Sequence, residues 1–299
     1  MLILTGGAGF IGTNMLMKLN QIGEDNILIV DDINTSMKWK NLVGQKFRDY
    51  LHKDDLWKWL EGNPQTRIDS VIHLGACSNT IENDFDYLMQ NNVRYSQKLW
   101  ALCLERQIPF IYASSAATYG DGSKGFSDDH NRIPDFLPIN AYGFSKHLFD
   151  LWVLRQTDAP PKWTGLKFFN VYGPYESYKN RMASVVFQGF PQVRDEGKLR
   201  LFKSDRRDCK NGEQKRDFIY VKDAIDVIQH MLAFDNTLSG IYNVGTGQAA
   251  SYNQVAEGLF AAVDKPIQVE YIDMPAELDQ HYQYFTQADI GKLRKSGFS

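Results

Sequence analysis

The chain opens on an apolar run, Leu2-Ile-Leu-Thr5, that predicts a short buried strand. It passes through Thr5-Gly-Gly-Ala-Gly-Phe-Ile-Gly12 into a segment where Met15, Leu16 and Leu19 recur at helical spacing with Asn14, Lys18 and Asn20 between them. A second run, Asn26-Ile-Leu-Ile-Val30, ends at Asp31-Asp32. Asp69-Ser-Val-Ile-His-Leu74 predicts a strand ending at Gly75-Ala-Cys-Ser78, and Pro109-Phe-Ile-Tyr-Ala113 one ending at Ser114-Ser115. Between them, Asp86 to Gln107 is patterned as one long helix with Leu88, Met89, Tyr95, Leu99, Leu102 and Cys103 on or near one face. A helix from about Tyr142 to Gln156 and a strand at Thr164-Gly-Leu-Lys-Phe-Phe169 continue the alternation. Strands separated by helices predict the α/β class, a doubly wound parallel sheet of Rossmann type whose ligands gather at the carboxyl ends of the strands. The weakly patterned stretch is Thr35 to Pro64, where Trp39, Trp57 and Trp59 are expected to pack on the sheet's flank.

After about Tyr172 the texture becomes mixed and loop-rich. Helical Met182 to Phe187, a strand at Leu199-Arg-Leu-Phe202 and a polar run from Ser204 to Lys215 come in turn. Arg216-Asp-Phe-Ile-Tyr-Val221 predicts a strand leading into helix Asp223 to Phe234, and Gly240-Ile-Tyr-Asn-Val244 a further strand of the main sheet. The expected organisation is a dinucleotide-binding domain over 1–171, rejoined by 217–248, with a smaller mixed α/β substrate domain interleaved from 172–216 and 249–299.

Composition narrows the class. With 299 residues, 43% hydrophobic and 23% charged, the chain is large enough for one big globular domain or two unequal ones. A net charge of −3 points to neither a nucleic-acid nor a membrane-surface partner. Three cysteines, Cys77, Cys103 and Cys209, have no metal-ligand spacing and suit a reduced cytoplasmic protein. A strand beginning at residue 2 leaves no room for a signal peptide, and no apolar run reaches the ~20 residues of a membrane span.

The first candidate chemistry is the glycine turn. Gly6, Gly9 and Gly12 lie where a strand turns into a helix N-terminus, so backbone N–H groups and the positive dipole end converge where a pyrophosphate can sit. Side chains at these positions would block that approach. Asp31 or Asp32, at the end of the second strand, can accept hydrogen bonds from an adenosine ribose. The second is the set Ser115, Tyr142 and Lys146. Tyr142-Gly-Phe-Ser-Lys146 places a phenol and an ammonium one helical turn apart. A tyrosine with pKa near 10 is a poor base at neutral pH. Lowering it by about 3 units takes about 4 kcal/mol, which a lysine cation and a positive nicotinamide ring could together supply. Ser115 could hydrogen-bond the hydroxyl being oxidised.

These elements, in this order, resemble the extended short-chain dehydrogenases/reductases, the superfamily of nucleotide-sugar epimerases and dehydratases. The likeness runs nearly end to end through Gly6 to Gly12, Ser114-Ser-Ala-Ala-Thr-Tyr-Gly120, Tyr142 to Lys146, Arg216-Asp-Phe-Ile-Tyr-Val221 and Tyr242-Asn-Val-Gly-Thr-Gly247. Dehydratases of the superfamily carry Asp-Glu after the active serine or threonine. Ala116 and Ala117 stand there in this chain, which argues against elimination of water. Longer strings, Gly75-Ala-Cys-Ser78, Phe169-Asn-Val-Tyr-Gly-Pro174, Met182-Ala-Ser-Val185 and Phe285-Thr-Gln-Ala-Asp289, are similar to the branch that epimerises ADP-bound heptoses at C6″.

That resemblance implies a redox-neutral epimerase with ADP-heptose as substrate, serving lipopolysaccharide inner-core synthesis, and a homo-oligomer. It implies a second acid/base lysine after the Gly-Pro, matched by Lys179. It also implies substrate contacts from Asn170, Arg181, Gln188, Phe202, Lys203, Ser204, Asp205, Arg216 and Tyr282, with the arginine suited to gripping a diphosphate. Cofactor contacts carried over in the same way are Phe10, Ile11, Lys38, Lys53, Leu74, Gly75, Ala76, Cys77, Ser78, Asn91 and Val171. The family pattern implies NADP, its 2′-phosphate near Lys38. Asp31 by electrostatics alone favours NAD, and both stay open. The family continues into a last helix where this chain stops at Ser299, and the charged run 204–215 is longer than its counterpart. Another nucleotide-sugar epimerase, acting at C4 of a UDP- or GDP-sugar, and a non-catalytic dinucleotide sensor are the alternatives.

Overall fold

The computed structural model describes residues 1–233, 238–275 and 282–299. Its first half alternates β1 (Leu2–Thr5), α1 (Phe10–Gln21), β2 (Ile27–Asp31), β3 (Asp49–His52), α2 (Leu56–Gly62), β4 (Ser70–His73), α3 (Phe85–Leu88), α4 (Tyr95–Glu105), β5 (Phe110–Ser115) and α5 (Ala141–Leu154). Then follow β6 (Trp163–Phe168), β7 (Asn170–Tyr172), α6 (Val185–Pro191), β8 (Leu199–Phe202), β9 (Lys215–Tyr220), α7 (Val221–Ala233), β10 (Gly240–Val244), β11 (Ala249–Ser251), α8 (Tyr252–Ala261), β12 (Val269–Ile272) and α9 (Gly291–Lys295).

Seven parallel strands form the central sheet in the order β10-β6-β5-β4-β1-β2-β3. The order reverses between β1 and β4, and Thr5 is level with Val30 on one side and His73 on the other. The glycine turn therefore leaves the sheet at its topological switch point, where a crevice opens.

The period-2 pattern sorts the strands' side chains into two layers. Leu2, Leu4, Ile27 and Ile29 pack under α1 and α7, whose Met15, Leu16, Leu19, Ile225, Ile228 and Met231 are buried with them. Ile3, Leu28, Val30 and Val71 face the other way, onto Leu56 and Leu60 of α2, Leu99 and Trp100 of α4, and Phe149 and Val153 of α5. Covering both faces is what makes β1 and β2 read as continuous apolar runs.

Two smaller sheets complete the fold: β7-β9-β11, and the parallel pair β8-β12. A separate core of Val193, Leu199, Leu201, Leu259 and Phe260 lies beneath the pair. The strand expected at Arg216 lies in the three-stranded sheet, whereas α7 and β10 return to the central one.

Three local expectations change. The weakly patterned stretch hides β3, an edge strand whose Asp-Tyr-Leu-His is nowhere fully buried, and α2. Trp57 and Trp59 do pack on the flank, but Trp39 is 51% exposed beside the crevice-side turn 37–42. The helix Asp86 to Gln107 is interrupted by a π-helical stretch, Met89–Arg94. Asn92 within it clamps the loop after β4, taking Cys77 N at 2.8 Å and donating to Cys77 O at 3.0 Å, while also donating to Ser145 Oγ at 2.9 Å. Such extra-residue turns recur at functional sites because they re-aim side chains.

Candidate active site

At the switch point each glycine has its own reason. Gly6 sits at φ +67°, and a Cβ there would meet Gly75 N at 2.6 Å. A Cβ on Gly12 would lie 2.0 Å from Gly6 O, so α1 can start this close to the turn only without a side chain. Ala8 N donates to Asp31 Oδ2 at 2.9 Å, and Asp31 Oδ1 takes Lys38 Nζ at 2.8 Å. Asp32 pairs with Lys53 Nζ at 2.9 Å, and the same ammonium reaches Asn91 Oδ1 at 2.6 Å. Burial pushes the Asp32 carboxyl up, yet Lys53 outweighs it and holds the group below the usual range. Gly6, Asp31, Asp32, Lys38, Lys53 and Asn91, with Gly75, Ala76 and Cys77, line a cavity of ≈ 380 Å³ at the ends of β1, β2 and β4.

A second cavity, ≈ 420 Å³, adjoins it through Ala76. Phe10, Ile11, Leu74 and Ser78 line it on the side of the glycine turn and the β4 end, and Ser115, Tyr142, Lys146, Asn170, Val171 and Lys179 also line it. Ser115 ends β5 and accepts from Ala117 N at 3.1 Å, which fixes its hydroxyl at the lip of the sheet. Asn140 caps α5 by accepting from Gly143 N at 2.6 Å, and so sets the turn that presents Tyr142. Burial pushes the Tyr142 hydroxyl above its ordinary value, against the pull of its hydrogen bond from Ser115. Burial also draws Lys146 down to about 8, while the Asp150 carboxylate one turn further along α5 pulls it back up. Within the protein alone, then, Lys146 does not bring Tyr142 into the range of a base.

Behind α5 lies a fully buried ion pair, Lys167 Nζ to Asp150 Oδ2 at 2.6 Å. Asp150 also accepts from Tyr112 Oη at 3.0 Å and Ser114 Oγ at 2.7 Å, and Lys167 donates to Thr118 Oγ1 at 2.7 Å. This network ties β5, β6 and α5 together directly beneath the serine and the lysine. Lys167→Met strands a buried carboxylate, and a loss of about 3–5 kcal/mol in urea unfolding is expected.

Lys179 comes from the loop after β7. Glu176 on the same loop is fully buried and accepts from Gly173 N at 3.0 Å, Ser184 N at 2.6 Å and Ser184 Oγ at 2.7 Å. Lys179 Nζ is 3.7 Å from Glu176 Oε2 and 5.0 Å from the centre of the Phe10 ring. Burial lowers Lys179, with Glu176 opposing it. Tyr178 reaches from this loop to the dinucleotide turn, its hydroxyl accepting from Phe10 N at 2.8 Å.

A third cavity, ≈ 250 Å³, adjoins the second through Val185 and Tyr252 and is lined by Gln188, Phe202 and Tyr282. Arg216, 5% exposed, lines neither, but its guanidinium lies 5.0 Å from the Tyr282 ring and 6.0 Å from that of Tyr252. Besides Arg216, four expected substrate residues line none of the three cavities. Arg181 is exposed, Lys203 is bonded to Asp273 at 2.7 Å, Ser204 N donates to Asn211, and Asp205 accepts from Tyr284. Gly9 and Gly12 shape the turn without lining a cavity.

Sequence reasoning passed over Glu176, Tyr178 and Asp217. Asp217 is completely buried in β9 and accepts from Thr246 N and Thr246 Oγ1 at 2.7 Å each, and from Gly247 N and Ala288 N at 2.9 Å each. It gathers three of the strings that carried the resemblance. An aspartate directly before the apolar Phe-Ile-Tyr-Val run was the available signal. Among the described residues no group of three or more His, Cys, Asp or Glu side chains could hold a metal ion, and no helix is long and apolar enough to cross a membrane.

A switch-point crevice with a glycine turn, and a serine, tyrosine and lysine at neighbouring strand ends, defines a dehydrogenase-type site for a nicotinamide dinucleotide. A family model described as the NAD dependent epimerase/dehydratase family matches residues 2–245, and the chain belongs to that family. An ADP-L-glycero-D-manno-heptose-6-epimerase of Nitratidesulfovibrio vulgaris is 49% identical over 298 residues, 99% of this chain and 92% of the relative. A protein of the same name from Fusobacterium nucleatum is 46% identical over 308 residues, covering 100% of this chain and 92% of its own. The crystal structure of the Helicobacter pylori ADP-L-glycero-D-manno-heptose-6-epimerase superposes with a TM-score of 0.82 at 30% identity, over 100% of this chain and 90% of that one.

Proposed function

We propose that this protein is an isomerase that converts ADP-D-glycero-D-manno-heptose to its C6″ epimer. The observation that carries the reading is that Tyr142 and Lys179, two groups able to exchange protons, line one cavity from separate elements. Inverting a stereocentre asks for proton transfer in two orientations of the sugar, which one fixed tyrosine does not serve. The names and near-complete coverage of the relatives support the substrate.

When bound, the nicotinamide supplies the acceptor and then the donor of the hydride, so no net redox change results. Residues fit it: the glycine turn admits backbone close to a pyrophosphate, and Asp31, Asp32, Lys38 and Lys53 surround the ribose end. Tyr142 takes the proton of the C6″ hydroxyl in one orientation, with Ser115 hydrogen-bonding the same oxygen and Lys146 stabilising the phenolate. Lys179 exchanges the proton in the other orientation. Arg216, beside Tyr252 and Tyr282, holds the diphosphate, with Asn170 and Tyr282 contributing. On this reading 1–171 and 217–248 bind the dinucleotide, and 172–216 and 249–299 the sugar nucleotide. The protein works in the cytoplasm as a homo-oligomer, in lipopolysaccharide inner-core synthesis.

The cofactor on this reading is NADP. Lys38 already neutralises Asp31 and can turn to a 2′-phosphate. Lys38→Ala is expected to weaken NADP about tenfold, or about 1.4 kcal/mol, with NAD little changed, as read by cofactor fluorescence titration. Equal losses for both would point to NAD as the native cofactor.

The deciding experiment is an NMR time course of purified protein with ADP-D-glycero-D-manno-heptose and no added cofactor. Growth of the 6″ epimer establishes the reaction and a recycled, retained cofactor. No change after adding NAD and then NADP refutes the substrate, and a panel of UDP- and GDP-sugars follows.

A further inference from the structure

The third cavity is lined by a residue that carries a buried atom without a partner. Gln214, immediately before β9 and 1% exposed, lines it beside Phe202, Tyr252 and Tyr282. Its Oε1 is buried and receives no hydrogen bond among the described residues, while its Nε2 makes only a long contact, 3.4 Å, to Lys203 O. Exchanging the two amide atoms would set carbonyl against carbonyl at Lys203, so the surroundings favour this orientation. A buried acceptor with no donor is destabilising, and a site that keeps one is suited to a ligand that donates.

We infer that Gln214 determines base specificity, its Oε1 accepting from the exocyclic amine of adenine in the sugar nucleotide. The inference rests on the ADP-sugar reading above. On that reading a flat base stacked here offers one donor: N1, N3 and N7 of adenine are acceptors, and the N6 amine carries the only N–H groups of the base. The aromatic side chains offer faces on which a flat ring can stack. The Nε2 hydrogen not used at Lys203 is available to the acceptor beside the amine, which completes the two-point match of glutamine with adenine. Arg216 lies beside Tyr252, a residue that lines both this cavity and the catalytic one, and beside Tyr282, so a diphosphate held by it would stand between base and sugar. A 6-oxo purine would present a carbonyl to a carbonyl and be rejected.

The test is calorimetric binding of ADP and IDP to protein saturated with nicotinamide cofactor, so that neither can enter the dinucleotide site. Wild type should bind ADP at least about tenfold tighter than IDP, the effect of one well-placed hydrogen bond. In Gln214→Met the preference should collapse to about two- to threefold, with KM for the ADP-sugar raised and kcat little changed. Equal wild-type affinities for ADP and IDP, a result that needs no variant to fold, overturn the role of Gln214 and leave the ADP-sugar reading standing. A Gln214→Met protein that still discriminates does the same. Preference for UDP over ADP overturns that reading and this inference with it.

Discussion

Tyr142→Phe should lower kcat for epimerisation by a factor of about 100 to 10,000, the range one positioned proton-transfer group contributes. Binding of cofactor and ADP-sugar should stay near wild type, because the ring keeps its buried place and only the hydroxyl is lost. The argument is electrostatic. Burial raises the phenol, so the protein fold by itself disfavours the form that accepts a proton. The opposing influences are the hydrogen bond from Ser115, the Lys146 cation and the positive ring of the bound cofactor. Lys146, drawn down to about 8 by burial, carries its charge below that pH and gives it up above. Its help to the phenolate therefore fades on the alkaline side, and kcat should begin to fall near pH 8. Retention of more than about a tenth of wild-type kcat in Tyr142→Phe, with initial rates followed by NMR, would remove the tyrosine from this role.

Much of this site was legible from residue order alone, and the reasons are local. A glycine turn, an acidic strand end and a Tyr-x-x-x-Lys helix are short-range patterns, and the parallel sheet carries each to the same edge. Elements held by one contact or one neighbour were not legible. β3 is an edge strand, so it needs no apolar run, and its Asp-Tyr-Leu-His carries no period-2 signal. The π-helical turn at Met89–Arg94 keeps an apolar pattern close to that of an ordinary helix and shows itself only through Asn92 and its partners. Lys203 to Asp205 looked like a nucleotide wall by resemblance. In the fold these residues turn toward Asp273, Asn211 and Tyr284, and Gln214 takes the buried place beside Phe202. Glu176 is satisfied by donors in its own irregular loop and Asp217 by backbone donors far away in sequence, and no spacing rule anticipates either.

Lys179→Met should lower kcat/KM for both epimers by about 100- to 10,000-fold. The two losses must be equal, because a catalyst cannot shift the equilibrium between epimers, and a unit lesion on either side of the cycle slows both directions alike. Methionine keeps the length of the side chain and its packing over Phe10. Glu176 keeps its three bonds to Gly173 and Ser184, so the loop should hold its shape. Lys179→Arg separates acid/base work from mere placement. Arginine retains the charge beside Glu176 but does not release its proton at working pH, so it should be about as inactive as methionine. Recovery in the arginine variant would mean that the residue only orients the loop or the substrate. Tyr142→Phe combined with Lys179→Met should be little worse than either alone, since the cycle stops once one of its two proton transfers is missing. Losses that multiply instead would show that the two residues act on the same rate-limiting step.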